Sequence, residues 1–558
     1  MANKYGLLLI VGLLLSVVCG SVRLEHAWIS SGKISRDDAA GSGVIWVPDN
    51  YTSIQAAINA ANSGDTIYVG NGSYYENIIV NQTVRLAGID FPTIDGQHYS
   101  MFGLPTLRVR ANNVTVNGFI IQHGSSLQYV KEFDWGIDLG CNGSNISGNI
   151  IRFNERGIDS FGSNAVENNL IIYNYGGIAC DGSYNIIKEN NVTKNYSGIF
   201  FAQPSNTAFN NTILDNDAGI ILYCNDTYLR GNNITGSLRG FDFDGGYDLD
   251  QYVQDIDTSN LIDGRPMYYW TNQCDKTVPP DAGYVALVNC TSIIVNGLNL
   301  ERNGHGVLMA GTSNSTIVNC NFTDNVFGLF AWASENNTIY HNNFVNNTFQ
   351  VGNTYSWWPP APELLPSTWD NGYPSGGNYW SNCSITDAKN GVYQSIIGSD
   401  GINDTSYTID SSNEDSYPFA APFHSFDVGT WNNTHREVSV VSNSSLSSFQ
   451  LNQTEKTIGF NVTGSNDAVG FCRVTVPNPI VQEMWQGNYT ILVNNQPVSF
   501  ENWTDTENTY IYLTYQHSER KITIIPEFPP TTVLPLVIIL APTTLLTRRR
   551  KSREKPKS

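Results

Sequence analysis

The sequence is poor in positive charge. Its 558 residues include 30 Lys and Arg against 50 Asp and Glu, which gives a formal net charge of −20. Because nucleic-acid binding depends on basic residues that neutralise phosphates, this balance excludes a nucleic-acid partner. The chain also has no pair of cysteines in C-x-x-C spacing, although it contains 9 cysteines. The missing spacing argues against a zinc site.

The main apolar segments lie near the two ends of the chain. Residues 7–18 are apolar and precede Gly20 and Ser21, so we predict a secretory signal peptide over residues 1–21. At the other end, Pro526, Glu527, Phe528 and Pro529 precede an apolar stretch at 533–546 and a basic cluster at 548–551. This stretch is shorter than the about 20 apolar residues of a membrane span.

The most regular feature of the chain is a repeat of about 21 residues. A glycine followed by an aliphatic or aromatic residue recurs at Gly136, Gly157, Gly177, Gly198, Gly219, Gly240, Gly306 and Gly328. One set of asparagines lies three residues before the glycine, at Asn154, Asn174, Asn195, Asn216, Asn303 and Asn325. A second set lies eight residues before it, at Asn149, Asn169, Asn190, Asn211 and Asn232.

This period predicts the fold. It is too short for two packed helices, and the repeats are too rich in β-branched residues, Asn and Gly for helix. We therefore predict an all-β chain in which each repeat is one coil of a right-handed parallel β-helix, a pectate-lyase-like solenoid. Equivalent residues of successive coils then stack about 4.8 Å apart, and their asparagine amides bond to one another.

The sequence divides the rest of the chain around these coils. Residues 44–64 are predicted to cap the β-helix, because they contain a short stretch with helical apolar spacing and an open solenoid end needs cover. The coils occupy 65–350, and a closing segment follows at 351–423. Alternating apolar runs between turn residues predict a small β-sandwich-like stalk domain at 424–525. Residues 526–558 form the C-terminal sorting segment.

Three further segments carry a family resemblance, at residues 259–270, 281–290 and 369–380. With the coils, they resemble archaeal surface proteins of the NosD type, within a wider group of β-helix domains associated with carbohydrate binding and sugar hydrolysis. The resemblance covers residues 44 to about 423. It implies a cell-surface protein that binds polysaccharide or glycan, as a non-catalytic envelope or adhesion component.

The C-terminal tail carries a second resemblance. Its order of Pro-Glu-Phe motif, apolar stretch and basic cluster is similar to the PEF-CTERM sorting signals of archaeal surface proteins. That resemblance implies cleavage near residues 526–529 and transfer to a lipid. We expect an extracellular protein anchored to the cell surface through its C-terminus, by a lipid or by a retained membrane segment.

Candidate binding residues follow from residue type. Exposed aromatic rings stack on sugars, so we predict stacking platforms at Trp332, Trp369, Tyr379 and Trp380, with core packing as the alternative. In the closing segment, NosD-type proteins carry Asp-rich loops that resemble calcium sites built from oxygen ligands. Here that implies a calcium site at Asp387, Asp400, Asn403 and Asp404. No organic cofactor is expected.

Two other functions stay open. Gly304, His305 and Gly306 resemble the Gly-His-Gly motif of polygalacturonase-type enzymes, and two carboxylates about 5 to 10 Å apart on one face would favour a polysaccharide lyase or hydrolase. The NosD resemblance also suggests a copper-associated accessory protein. Copper needs clustered His, Met or Cys ligands, but the 8 histidines and 5 methionines lie far apart in the sequence.

Asn-x-Ser/Thr sequons are frequent, as is typical of an Asn-rich chain. Combined with a signal peptide, they predict a glycosylated outer surface. The predicted glycosylation sites include Asn71, Asn113, Asn191, Asn225, Asn233, Asn314, Asn346, Asn432, Asn461 and Asn488.

Overall fold

Most of the chain folds as a parallel β-helix. The computed structural model describes residues 43–96, 104–123, 135–244, 246, 248–354, 364–466 and 468–527. Short strands of successive coils form three long sheets, here named A, B and C, and two shorter sheets continue the later coils. The strands pair in parallel, except that Leu261–Ile262 and Arg265–Thr271 of sheet B are antiparallel. Two sheets of longer antiparallel strands follow at the C-terminal end. The predicted all-β fold class is confirmed.

Sheet A has ten strands, at Val44–Val47, Thr66–Val69, Arg85–Gly88, Thr115–Asn117, Asn145–Ser147, Ala165–Glu167, Ile186–Lys188, Thr207–Phe209, Tyr228–Arg230 and Asp255–Ile256. Sheet C has eight strands, at Ile78–Val80, Leu107–Val109, Trp135–Leu139, Arg156–Ser160, Gly176–Cys180, Ser197–Phe201, Ala218–Leu222 and Arg239–Phe243.

Sheet B has 14 strands, at Ser73–Tyr74, Thr93–Asp95, Ile120–Gln122, Ile150–Arg152, Leu170–Ile172, Asn191–Thr193, Thr212–Leu214, Asn233–Thr235, Leu261–Ile262, Arg265–Thr271, Tyr284–Val288, His305–Ala310, Phe327–Trp332 and Phe349–Gly352. The two sheets of the later coils consist of Ile294–Asn296, Thr316–Val318 and Thr338–Tyr340, and of Asn299–Glu301, Asn321–Thr323, Asn343–Val345 and Tyr379–Trp380.

The apolar residue after each repeat glycine forms a ladder inside the solenoid. Ile158 is paired in register with Ile178, Ile178 with Ile199, and Ile199 with Ile220. All four side chains are buried in one continuous apolar core. The predicted stacking of the repeat is confirmed at these positions.

The periodic asparagines form hydrogen-bonded ladders. Asn169 Nδ2 donates to Asn190 Oδ1 at 3.0 Å, and Asn190 Nδ2 donates to Asn211 Oδ1 at 3.1 Å. A second ladder runs through Asn154, Asn174, Asn195 and Asn216 in the same way. Because each buried amide bonds to the next coil and to backbone carbonyls, the turns keep their polar groups satisfied without water.

A short helix covers the first coils. It spans Ile54–Ala60, and the Ser53 hydroxyl accepts the Ala56 N–H at 3.2 Å as its N-cap. Ile54, Ala57 and Ile58 are buried in the core of the β-helix. The strand Val44–Val47 before the helix pairs with Thr66–Val69, so sheet A begins upstream of the helix.

The closing segment leads into a β-sandwich. Short strand pairs occur at Lys389–Asn390 with Ile396–Ile397 and at Tyr407–Thr408 with Glu414–Asp415. One sheet of the sandwich contains Phe423–Trp431, Thr434–Ser442, Val469–Pro477, Asn508–Gln516 and Glu501–Thr504. The other contains Ser445–Asn452, Thr457–Thr463, Arg520–Pro526, Tyr489–Val493 and Gln496–Pro497. A helix at Asn478–Trp485 packs on this core, and a 3-10 turn lies at Leu249–Tyr252.

The predicted tail falls mostly outside the described residues. Pro526 ends the last strand and Glu527 follows it, but Phe528, Pro529 and the apolar stretch lie beyond, as does the predicted signal peptide. In the described part of the chain, none of the helices has the length and apolar character that a membrane crossing requires. The eight described cysteines are free thiols, and six of them are buried.

Candidate functional site

The outer face of sheet C carries a row of residues that the repeat does not explain. In each strand, the residue that directly follows the inward-facing apolar residue lies on this outer face. In order along the axis, the row consists of Ile79, Arg108, Asp138, Asp159, Ala179, Phe200, Ile221 and Asp242. The small Ala179 lies between Asp159 and the large Phe200, which leaves a depression in the face.

A pocket of about 230 Å³ occupies this depression. Ala179 and Gly176 line it, and Arg156, Tyr196 and Phe200 are among the residues that surround it. We call it the tyrosine pocket, because Tyr175 and Tyr196 form part of its lining. Its lining of aromatic rings and a few polar groups is of the kind found in small-ligand sites, and its volume is below their usual range of about 300–1,000 Å³.

The two tyrosines are stacked and exposed. Their ring centroids lie 4.6 Å apart with an interplanar angle of 8°. Tyr175 keeps 60% of its surface exposed and Tyr196 keeps 46%. Large aromatic rings are normally half buried or more, so this pair offers a wide apolar surface to solvent.

An ion triad lies next to the pocket. Arg156 Nη1 donates to Asp159 Oδ2 at 2.6 Å and to Asp181 Oδ2 at 3.1 Å. Both carboxylate oxygens bind the same nitrogen, so they are at most about 6 Å apart. The side chain of Asp159 has 0% of its surface exposed. Burial, with the nearby Asp181 charge, raises the pKa of Asp159 well above its ordinary value.

A second aromatic stack lies on the neighbouring turn. The rings of Phe153 and Tyr173 are 5.9 Å apart at 6°, and both are exposed. Arg152 lies 5.3 Å from the centroid of Phe153, and Lys194 lies 5.8 Å from that of Tyr173. Tyr173 and Tyr175 flank the inward-pointing Asn174, so the two stacks form one aromatic edge along the coils.

The predicted aromatic platforms lie elsewhere, and two of them are core residues. Trp380 is fully buried between Phe344 and Tyr407, whose ring centroids lie 4.3 and 4.2 Å from its own. Trp369 is 2% exposed and packs at 6.1 Å from Trp380. Since a sugar must reach the face of a ring, the prediction of these two as platforms is corrected. They were predicted from residue type, and their burial comes from the packing of the closing segment.

The other two predicted aromatics are half-buried. Trp332 stacks on the buried Tyr252 with centroids 5.1 Å apart, which covers one face of its ring. Tyr379 packs beside the small cluster around Phe419 and Phe423 in the closing segment. Neither residue belongs to the tyrosine pocket.

The predicted calcium ligands bond to the backbone of their own loops. The Asp387 carboxylate accepts the N–H groups of Asp400 and Gly401, each at 2.9 Å. Asp404 Oδ1 accepts the N–H groups of Ala388 and Lys389. Asn403 Oδ1 accepts the Thr386 N–H at 2.6 Å. The Asp400 carboxylate accepts the Ile402 N–H at 3.0 Å and the Gln394 Nε2–H at 3.2 Å. These side chains thus hold the two halves of the loop together.

His305 of the Gly-His-Gly motif is a core residue. It is fully buried, and its Nδ1 lies 3.3 Å from the Tyr284 hydroxyl. Its ring stacks on Phe327 with centroids 5.9 Å apart. Burial lowers the pKa of His305 to about 3, so the ring is neutral. A group this deep has no access to a polysaccharide.

The predicted glycosylation sites differ in exposure. Eight of the ten asparagines are exposed, while Asn225 and Asn461 are half-buried. The exposed sites lie on turns and strand edges of both domains, where a glycan has room.

The residues of the tyrosine pocket were missed in the sequence, although a signal exists. Two positions before the repeat glycine, the residue changes from coil to coil, from Glu155 to Tyr175, Tyr196, Asp217 and Leu238. Likewise, an aspartate directly after Gly157-Ile158 is unusual in a buried strand. Positions that vary within a regular repeat are free of its packing demands and point to a site.

Comparison with known proteins gives a family match. The family described as "Periplasmic copper-binding protein (NosD)" matches residues 58–265 and 281–384. A cell surface glycoprotein of Methanothermus fervidus is 35% identical over 83 residues. This segment covers 14% of the chain and 14% of that relative, so the chain spans a small part of the relative's length.

Comparison with solved structures gives matches with TM-scores below 0.5. The Dettilon tailspike protein is 11% identical, with a TM-score of 0.32, over 86% of this chain and 93% of that chain. A GH87 alpha-1,3-glucanase catalytic unit from Streptomyces thermodiastaticus is 14% identical, with a TM-score of 0.34, over 59% and 68%. A mutant tailspike protein of E. coli bacteriophage HK620, solved with a pentasaccharide, is 10% identical, with a TM-score of 0.31, over 88% and 87%.

The described residues do not fit the copper that the family description names. They contain no group of three or more His, Cys, Asp or Glu side chains able to hold a metal ion. His341 Nε2 lies 3.1 Å from the Ser375 carbonyl, and His517 Nε2 lies 2.8 Å from the Ser444 hydroxyl. Copper sites need converging imidazole or sulfur ligands, and these imidazoles are dispersed through separate parts of the core.

Proposed function

Because the chain belongs to the NosD family, we propose that it is a β-helix protein of the cell exterior that binds a polysaccharide or surface glycan. Binding takes place at the tyrosine pocket and along the adjoining aromatic edge. The exposed sequon asparagines and the matched segment of a cell surface glycoprotein support an extracellular location. Attachment through a processed C-terminal tail remains part of the proposal.

The observation that carries this proposal is the stacked, exposed pair of Tyr175 and Tyr196 beside the pocket. The rings cover each other's inner faces, so each offers its outer face, and the outer face of one tyrosine matches the apolar face of one sugar ring. Arg156, Glu155 and Ser197 add hydrogen-bonding groups at its border. Such a combination holds a sugar by stacking and fixes its orientation by polar contacts.

A binding experiment with ring-deleted variants tests the proposal. The full-length protein is screened on an array of neutral and acidic glycans, and the double variant Tyr175→Ala, Tyr196→Ala is compared with it. We expect the variant to lose affinity at least about tenfold, which corresponds to about 1.4 kcal/mol. Tyr75 precedes the inward Ile78 as Tyr175 precedes Ile178, and it lies four coils away.

Tyr75→Ala is therefore the matched control, since it removes an exposed ring from the same position of a different coil. Its binding should equal that of the wild type. Equal losses in both variants, or binding that survives in the double variant, would rule out the tyrosine pocket as the site. Melting temperatures of all three proteins establish that they are folded.

The same site is proposed to bind without cleaving. Asp159 and Asp181 are close enough for the two carboxylates of a glycosidase, but Asp159 is fully buried and both are bound by Arg156. We expect no new reducing ends and no unsaturated sugars when the protein is incubated with the polysaccharides that it binds. Release of either product, abolished by Asp181→Asn, would replace binding with hydrolysis or elimination as the function.

A further inference from the structure

Carboxylates border the tyrosine pocket on both sides along the axis. Arg156, Gly176, Ser197 and Ala218 are paired in register on consecutive coils. The residues directly before them therefore form one row, in the order Glu155, Tyr175, Tyr196 and Asp217. The tyrosine pair thus lies between Glu155 in the coil below and Asp217 in the coil above.

On the inner side of the pocket, two carboxyl groups accompany one guanidinium. Arg156 is the cation in the pocket lining, and it is already bound to Asp159 and Asp181. Four carboxyl groups therefore accompany one guanidinium around the pocket. The net charge of these five side chains stays negative even when Asp159 is protonated.

Other charged groups lie on the far side of the turn. Lys194 and Arg152 lie over the rings of Tyr173 and Phe153, and Arg152 also donates to Gln122. Asp215 is exposed in the same part of the turn as Lys194, two residues before Asp217. The positive charge of this edge therefore belongs to the second aromatic stack, whereas the tyrosine pocket has the negative charge.

From this arrangement we propose that the tyrosine pocket selects uncharged sugar units and rejects uronates and sulfated sugars. This inference rests on the proposed glycan-binding function. Carboxylates accept hydrogen bonds from sugar hydroxyls, and such charge-assisted bonds are stronger than neutral ones. A sugar stacked on the outer face of Tyr175 or Tyr196 lies on the side of the coil that carries Glu155 or Asp217, which brings a sugar carboxylate within about 5 Å of that side chain. Repulsion at that distance is not fully screened by salt.

A charge-matched panel tests this selectivity. The probes are neutral glucan, mannan, galactan and chitooligosaccharides, and acidic polygalacturonate, alginate and chondroitin sulfate. For the full-length wild type we expect the tightest binding among the neutral probes, with acidic probes at least tenfold weaker. In the double variant Glu155→Gln, Asp217→Asn, the ratio of acidic to neutral affinity should rise at least tenfold, and more at low salt.

Asp324→Asn is the control, because it removes an exposed carboxylate from a turn of a later coil. Its ratio of affinities should equal that of the wild type. The selectivity would be overturned if acidic probes bound as tightly as neutral ones and this binding were lost in the double variant Tyr175→Ala, Tyr196→Ala. That result would leave the proposed function intact. Absence of binding to every probe would overturn both.

Discussion

Replacing Gly198 with alanine is expected to destabilise the β-helix by about 3 kcal/mol. A Cβ at this position meets the Gly219 carbonyl oxygen at 2.3 Å, well inside van der Waals contact. The same conflict recurs at Gly177, where a Cβ lies 2.4 Å from the Gly198 oxygen. Because the neighbouring strands are held in register, the backbone cannot move away from the added methyl group.

Urea unfolding followed by circular dichroism measures this effect. Gly70→Ala is the matched control, because a Cβ there meets its nearest atom, the Val47 carbonyl oxygen, at an ordinary 3.4 Å. The control should stay within about 1 kcal/mol of the wild type. If Gly198→Ala unfolds at the same urea concentration as Gly70→Ala, close coil contact does not explain the repeat glycine.

Replacing Asn190 with alanine is expected to lower the free energy of unfolding by about 3 kcal/mol. Its side chain accepts the Asn169 N–H and Nδ2–H, and it donates to the Val166 carbonyl and to Asn211 Oδ1. All of these groups are buried, so the substitution leaves several of them without partners and with no access to water. Unpaired buried polar groups are more costly than the bonds themselves are favourable.

Asn191→Ala provides the comparison, since Asn191 is the next residue in the chain and its side chain is exposed. We expect the two variants to differ by at least about 2 kcal/mol in the free energy of unfolding. Equal unfolding midpoints would contradict a structural role for the asparagine ladder. Limited proteolysis gives a second readout, because the coils around Asn190 should become the first cleavage sites.

These two residue types explain why the fold was predictable from the sequence. Gly198 and Asn190 each interact with the same residue type one period later, so a single spacing contains both partners of the contact. The inward Ile199 follows the same rule with Ile178 and Ile220. Any residue whose neighbour is its own repeat can be placed without knowledge of tertiary structure.

The candidate site was not predictable in the same way. Tyr175 and Tyr196 lie one period apart and can be placed on neighbouring coils, but the repeat does not predict the pocket beside them, which depends on the small size of Ala179 between Asp159 and Phe200. Trp380 was predicted as a surface ring because its residue type suits sugars. Its burial depends on Phe344, Tyr407 and Asp415, whose carboxylate accepts the indole N–H at 2.9 Å. None of these contacts follows the repeat.

The closing segment illustrates a further ambiguity of residue type. Asp387, Asp400, Asn403 and Asp404 were predicted as calcium ligands because NosD-type proteins carry Asp-rich loops in this segment that resemble calcium sites. The same residue types bind backbone N–H groups in tight turns, and in this structure each of the four does so. A sequence pattern of Asp, Asn and Gly therefore cannot separate a braced loop from a metal loop.

The most direct test of glycan binding at the tyrosine pocket is a crystal structure of the full-length protein with the tightest-binding neutral oligosaccharide. We predict a sugar ring in van der Waals contact, about 4 Å, with the outer face of Tyr175 or Tyr196, and hydroxyl groups hydrogen-bonded to Glu155 or Arg156. An oligosaccharide found only at another surface, such as the exposed side of Trp332 or the β-sandwich, would contradict the assignment.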